Sequence, residues 1–442
     1  MEIETNHEEL IVIYKKVNTI RHANKTIDSY SEAYLYIKCF FDLLNIKFPS
    51  DLSIKSIISS GKYPLEILKL IYSMIDELII LGYHMNYKDL CLLLSDRTIL
   101  SPGSLINKDQ AIGNQRFYIN KLEIIKSGKI VLNTKLENYL PMNPSILNTK
   151  DGYIINCRMV NYELTQNGLY IIKHPQMRIV TNNIILVTNK KFEIISERLI
   201  SDKSKSIKLS NPNIEGFEDL ILFQKKDDIY FTCTTLDTNQ HGRPQITLCK
   251  LNNDYEIIEK IPFESPQNRQ EKNWLPFISE DGNFNVIYEY NPYTIIKIHE
   301  HISQSELSES KTEKEVSMLV KLEKNKSINY NLNFSRFKGS AAPIPFDSGY
   351  LIIIHETFNL TPSLRCYLHR FIQLDKSMEI IKLSHPWYFE NHGIEFCRSM
   401  CHSHTENRII LTYSIHDKDA QWCEISSDYI RGLLKDLNEF IF

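Results

Sequence analysis

Five times along its length this chain repeats one layout: a polar anchor, a short strand, a tight turn and a second, apolar strand. The stretch from Glu271 to Pro292, EKNWLPFISEDGNFNVIYEYNP, shows it in full. Glu271-Lys272-Asn273 stands ahead of Trp274, Asp281-Gly282 makes the turn, and an apolar strand ends at Tyr290. The other copies are NPSILNTKDGYIINCR from Asn143, EDLILFQKKDDIYFTCTT from Glu218, GSAAPIPFDSGYLIIIHE from Gly339 and IEFCRSMCHSHTENRIILTYSIHD from Ile394. So many strands must protect their edges from pairing with other chains, and a radial arrangement of sheets does so. Successive second strands lie roughly 60 to 75 residues apart, longer than the roughly 40–50 of common propeller blades but suited to four strands with long loops. The pattern predicts a five-bladed β-propeller whose innermost strands start around one axial pocket, where the polar anchors converge. A pair of β-sandwiches would give the anchors no common destination.

The propeller is expected to span residues 115–442, preceded by a small α-helical domain over residues 1–105. Asn6 can cap a first helix, Ser29-Tyr-Ser-Glu32 is a capping box, and Pro64 opens an amphipathic helix that Gly82 stops. No catalytic constellation stands out there, so this domain is read as a scaffold for oligomerisation or partner binding. Beyond residue 115 alternation and β-branched residues take over, with turn signals about every ten residues. The Ser- and Lys-rich segments Ile200–Ser210 and Ser303–Ser317 read as solvated loops. A helical period returns only at Asp428–Leu437.

A net charge of −3 and the absence of a basic run interleaved with aromatics argue against nucleic-acid binding. The longest apolar run, Leu65 to Leu81, is broken by Lys69, Asp76 and Glu77, so no transmembrane segment is expected. No signal peptide is visible, and 9 scattered Cys fit reduced thiols, which places the expected location in the cytoplasm.

Taken in order, the five units resemble the five-bladed propeller enzymes of glycoside hydrolase family 130, the β-mannoside phosphorylases, and the related β-1,2-mannosyltransferases. The resemblance rests on Asn143-Pro144, Gly152 and Arg158 in the first unit and Glu218-Asp219 in the second. Lys272-Asn273 with Pro276-Phe277 carries it in the third, and Gly339, Pro343, Gly349-Tyr350-Leu351 and His355 in the fourth. Tyr413 and Asp417 close the fifth. The chain departs from the group at Ile221, where the group has Arg, and at Glu289-Tyr290, where the phosphorylases have a His-Arg pair that helps to bind phosphate. Anion binding needs N–H or cationic partners, so these departures count against phosphorolysis.

Making or breaking a glycosidic bond usually needs a carboxyl group to exchange a proton with the bridging oxygen. The resemblance assigns that role to Asp219, at the start of an inner strand. Glu218, its neighbour, points the other way along a strand and is expected to orient an adjacent group. Inverting hydrolysis wants a second carboxylate to activate water, and the first anchor, Asn143, is an amide. Glu356, Glu395 and Asp417 remain as candidate bases or sugar-hydroxyl acceptors. Arg158, Asn161, Tyr162, Lys272, Asn273, Arg336 and His355 are the polar candidates for sugar or phosphate contacts, with Arg370 as a further cation. Trp274 and Tyr290 are available either to stack on a sugar or to pack between blades.

His392, Cys397, Cys401, His402 and His404 crowd one segment and invite comparison with a zinc site. Two-residue alternation puts Cys397 and Cys401 on one face of a strand, but no second cysteine pair has finger spacing, so no metal and no cofactor are expected. No nucleophile elbow or Gly-rich phosphate loop is present. The expectation is a glycosyltransferase that moves a sugar, mannose by resemblance, from a nucleotide sugar or sugar phosphate to a glycan or other hydroxyl acceptor. A phosphorylase or hydrolase of the same fold, and a non-catalytic glycan- or protein-binding propeller, are the alternatives.

Overall fold

The computed structural model of the protein describes residues 120–164, 170–204, 214–239, 242–300, 320–332, 334–361, 364–390 and 393–440. The expected helical domain, residue His392 and most of the two Ser- and Lys-rich segments lie outside them. Asn120–Thr357 together with Cys366–Phe442 makes one compact unit.

Strands β1 (Asn120–Lys121) and β2 (Lys126–Lys129) come first. The first unit contributes β3 (Leu140–Asn148) and β4 (Gly152–Val160), then a hairpin of β5 (Tyr162–Leu164) and β6 (Tyr170–Ile172). It continues with β7 (Ile179–Asn189), β8 (Ile194–Leu199) and β9 (Ile214–Gly216). The second unit is β10 (Glu218–Lys225), β11 (Asp228–Thr235), β12 (Gln245–Leu251) and β13 (Ile257–Pro262). The third is β14 (Leu275–Ile278), β15 (Phe284–Tyr290), β16 (Tyr293–Glu300) and β17 (Val320–Ile328). The fourth is β18 (Lys338–Phe346), β19 (Gly349–Thr361), β20 (Leu364–Leu374) and β21 (Ile380–Ser384), followed by β22 (Trp387–Tyr388). The fifth is β23 (Glu395–His402), β24 (Arg408–Ile415) and β25 (Asp419–Ser426). Helix α1 (Ser427–Leu433) and strand β26 (Leu434–Asp436) follow.

Each unit folds as an antiparallel meander, and the last borrows its outermost strand, β2, from the other end of the described chain. The innermost strands neighbour one another in a closed cycle, β3 with β10, β10 with β14, β14 with β18, β18 with β23 and β23 with β3. Apolar side chains are sandwiched between successive sheets. Ile154 and Ile185 of the first meet Leu222 and Phe231 of the second, and Phe223 and Leu248 of the second meet Phe284 and Val286 of the third. Leu351 and Phe371 of the fourth meet Cys397 and Leu411 of the fifth, and Cys401 and Ile410 of the fifth meet Ile155 and Leu186 of the first. Because a sheet in this arrangement is covered on both faces, strand β4 is buried along its whole length.

The expectation of five alike blades needs correction. Among the described residues four sheets are regular blades, whereas the fourth meander belongs to a branched seven-stranded sheet. Its outer part divides: β20 pairs with both β21 and β22, β21 carries β26, and β22 carries β1 in parallel. Segments from both ends of the described chain therefore lengthen this sheet.

The C-terminal helix is shorter than the sequence period suggests. Ser426 caps it by accepting hydrogen bonds from the N–H groups of Asp428 and Tyr429. It stops at Leu433 because Leu434 turns extended, φ −76° and ψ 125°, and pairs with Ser384 on the edge of β21.

Candidate active site

The inner strands are interrupted by bulges where their polar residues stand. The register shifts between Met142 and Ser145 on β3, between Glu218 and Ile221 on β10, between Gly339 and Ala341 on β18, and between Cys397 and Ser399 on β23. The residues in these interruptions include Asn143, Asp219, Ser340 and Arg398. A bulge re-aims a side chain out of the two-residue alternation. Asn143, Asp219 and Asn273, just ahead of β14, also have φ of 43°, 54° and 63°. Asn and Asp tolerate this left-handed region better than other residues with a side chain. Three successive units thus begin on the residue types that can make the same turn.

These bulges bring the anchors together on Asp219. Its Oδ1 accepts hydrogen bonds from Asn143 Nδ2 at 2.8 Å and from Arg158 Nη1 at 2.7 Å. Ser414 donates to Asn143 Oδ1 at 2.5 Å, which orients the amide so that its NH2 faces the carboxylate. Asp219 Oδ2 has no hydrogen-bond partner among the described residues, and the side chain is 18% exposed. One oxygen is held twice, whereas the other accepts no hydrogen bond from the described residues. Arg158 also reaches Glu218 at 3.4 Å, and Lys272 approaches Glu218 from the other side at 3.4 Å. Arg398 donates from Nη2 to the backbone carbonyl of Asp219.

Burial by itself would raise the Asp219 carboxyl. Arg158, then Arg398, the Asn143 hydrogen bond and Lys272 outweigh it and hold the group well below the usual carboxylate range. Burial works against the Arg158 cation, but the carboxylates of Asp219 and Glu218 hold it charged. Burial, aided by Arg158 and opposed by Asp219, brings Arg398 down to about 10, so it is a cation at neutral pH. Tyr162 is buried, and its hydroxyl is pushed up by burial against the pull of Arg158, with Asp417 and Glu218 adding to the rise. His355 accepts from or donates to Ser340 Oγ across 2.9 Å. Burial, His369, Lys338 and Arg398 keep its ring neutral despite Asp219.

Asn143, Arg158, Glu218, Asp219 and Lys272 are therefore gathered, with Tyr162 against Arg158 and His355 within the field of Asp219. At Asn273 the third unit lies close against the fourth: a Cβ on Gly339 would lie 2.3 Å from the Asn273 carbonyl oxygen. Asp417 sits in the turn between β24 and β25, where it acts on Tyr162. Arg336 lies in the turn ahead of β18 and takes no part in the hydrogen bonds to Asp219.

The remaining expected residues have other employment. Glu356 and Arg370 form an ion pair at 2.9 Å with both side chains fully buried. Glu395 accepts from the N–H groups of Phe389 at 2.8 Å and Glu390 at 3.0 Å, so it secures a chain reversal. Asn161 bridges the carbonyl of Arg178 and the N–H of Val180. Tyr290 is buried against Phe337 and Tyr293, and its hydroxyl has no partner among the described residues. Trp274 is core as well. Its Nε1 donates to Glu271 at 3.1 Å, and Tyr288 and Ser265 donate to the same carboxylate. The anchor of the third unit is thus partly a latch for its own tryptophan. Glu289, the carboxylate in place of a cationic pair, is matched by Arg269 at 3.0 Å.

The bulge at Arg398 also overturns the expected facing of the two cysteines. Cys397 packs between the fourth and fifth sheets and Cys401 between the fifth and first, because the shifted register reverses the alternation. His402 and His404 are engaged with the carbonyls of Pro345 and Gly152. Among the described residues no cluster of three potential metal ligands occurs. Arg398 itself was missed by sequence reasoning. Its only signal was a lone arginine inside the apolar run Phe396–Cys401.

The architecture and this cluster define a mainly β protein with propeller-like sheets and a carboxylate set among arginines near the meeting point of its inner strands. Solved structures similar to it include a β-1,2-mannobiose phosphorylase from Listeria innocua, at 12% identity and a TM-score of 0.43, covering 68% of this chain and 94% of that one. Two from Leishmania mexicana are also similar. A mannose phosphorylase in complex with phosphate ion has 11% identity, a TM-score of 0.43 and coverage of 72% and 93%. A GDP-Man-dependent mannosyltransferase has 12% identity, a TM-score of 0.42 and coverage of 69% and 90%. No protein-family model and no curated protein matches the sequence.

Proposed function

We propose that the chain is a carbohydrate-active enzyme of the glycosyltransferase type, with Asp219 as the group that takes the proton from the acceptor. The observation that carries this reading is the asymmetric environment of its carboxylate, anchored through Oδ1 and open at Oδ2. The acceptor hydroxyl would give its proton to Oδ2 while its oxygen bonds to the anomeric carbon of the donor sugar. The bond from that carbon to a phosphate oxygen of the donor breaks, and the phosphate or nucleotide leaves with the electron pair as an anion. Mannose is the sugar we favour, on the sequence resemblance stated above. We also infer that the branched sheet fills the place of a fifth blade, because its inner strand β18 lies between β14 and β23.

The placement of Arg158, Arg398 and Lys272 around Asp219 favours transfer over hydrolysis or phosphorolysis. Those reactions need a carboxylic acid to protonate the leaving oxygen, and three cations oppose the proton here. Two of the three candidate water-activating carboxylates, Glu356 and Glu395, are committed to Arg370 and to backbone N–H groups. Arg158, Tyr162, Lys272 and Asn143 would contact the sugar or its phosphate, with no metal required to supply positive charge.

Incubation with GDP-mannose and mannose acceptors, in parallel with mannose oligosaccharides and inorganic phosphate, tests the proposal. Extension of the acceptor is expected, and Asp219→Asn should lower its rate about 10²- to 10⁴-fold while the fold is retained. Release of sugar 1-phosphate in the second incubation would replace transfer by phosphorolysis. Binding of glycans without turnover in either would leave a lectin-like propeller.

A further inference from the structure

Arg398 is an expensive residue to place where it lies. It is 3% exposed in the middle of an inner strand, and it spends one donor on the carbonyl of Asp219. Its Nε and Nη1 have no hydrogen-bond partner among the described residues. A buried guanidinium with unspent donors costs free energy that packing alone does not return. Its position coincides with two other irregularities. The strand is bulged at Arg398 itself, and the carbonyl it holds belongs to a residue in the left-handed region within a second bulge.

We propose that Arg398 is a positioning residue for Asp219: the bond from Nη2 holds the bulged backbone that aims the carboxylate, and it places a buried cation beside that side chain. The inference rests on the reading of Asp219 as the proton-accepting group. The other groups facing this pair are Glu218 on the same strand, Arg158 from β4, Lys272 from the segment ahead of β14 and His355 from β19, with Cys233 of β11 facing Arg398. Among the described residues Arg158 alone holds the side chain of Asp219 by an ion pair, whereas Arg398 is the cation that touches its main chain. The two cations therefore have separable tasks. Loss of Arg158 would release the carboxylate, and loss of Arg398 would release the bulge and weaken the field.

The test is titration of Asp219 in the full chain carrying 13C-carboxyl aspartate, the signal being assigned by its disappearance in Asp219→Asn. In the unmodified protein the signal should stay ionised into strong acid. Arg398→Met should raise the midpoint by about one to three pH units, the effect of removing a close opposite charge. Arg398→Lys keeps a cation and should restore most of the shift. The acid limb of the pH profile for transfer should move with the midpoint. If Arg398→Met does not fold, Arg398→Gln read against Arg398→Lys reports the same difference. An unchanged Asp219 midpoint in a folded, uncharged variant would overturn the proposal. Full turnover by Asp219→Asn would instead overturn the catalytic reading, and the titration would still report what Arg398 does.

Discussion

Replacing Arg370 by Met should be among the most damaging single changes to this fold, and replacing Glu356 by Leu as well should undo most of the damage. The two side chains share one charge-assisted hydrogen bond, Arg370 Nε to Glu356 Oε2 at 2.9 Å, and Arg370 Nη1 adds a 3.2 Å bond to the carbonyl of Ser384. Glu356 Oε1 and Arg370 Nη2 are left without partners among the described residues, so the pair is poorly compensated for its burial. Removing the cation alone strands a buried carboxylate and should cost about 3–5 kcal/mol. Removing both charges eliminates the two orphaned atoms together with the pair, and such replacements range from neutral to about 1–4 kcal/mol stabilising. The double variant should therefore be more stable than either single one, with a coupling well above the roughly 0.3–0.5 kcal/mol expected of independent sites. Urea unfolding with fitted midpoints and slopes measures all four corners of the cycle. Additive losses, or single losses below about 1 kcal/mol, would refute the assignment of Glu356 to the core and return it to the list of candidate bases.

Two further outcomes follow from the same geometry. The Asp219 carboxyl is depressed in the fold, so it contributes stability above its unfolded value of about 3.9 that is lost as the pH falls toward the lower folded value; Asp219→Asn should flatten acid unfolding below about pH 4, and an unaltered acid limb would deny the ion-paired setting. Gly339→Ala should cost about 1–3 kcal/mol by overpacking, because its Cβ would meet the Asn273 carbonyl at 2.3 Å and Leu275 Cγ at 2.6 Å; a neutral melting curve would show that the third and fourth sheets can separate there.

Much of the architecture was legible because its signals are local. Alternation, turn residues and five similar openings announced consecutive meanders, and Asn143, Asp219 and Asn273 are residue types suited to the left-handed turns they occupy. The lengthened fourth sheet was not legible, since its extra strands come from far along the chain. Likewise nothing in the third unit distinguished a Trp274 that greets a sugar from one latched by Glu271, because both read as an aromatic after a charged residue.

The sequence by itself determined which residues could start the inner strands and that a carboxylate stood among them. Only the tertiary structure decided which partners that carboxylate received. The bond from Ser414 that orients Asn143 spans 271 residues, and the one from Arg398 to Asp219 spans 179. Bulges decided the rest: one extra residue in a pairing register moved Arg398 toward Asp219 and sent Cys397 and Cys401 to different cores. Such a shift depends on what the neighbouring strand offers rather than on local composition, so alternation read along one strand cannot foresee it.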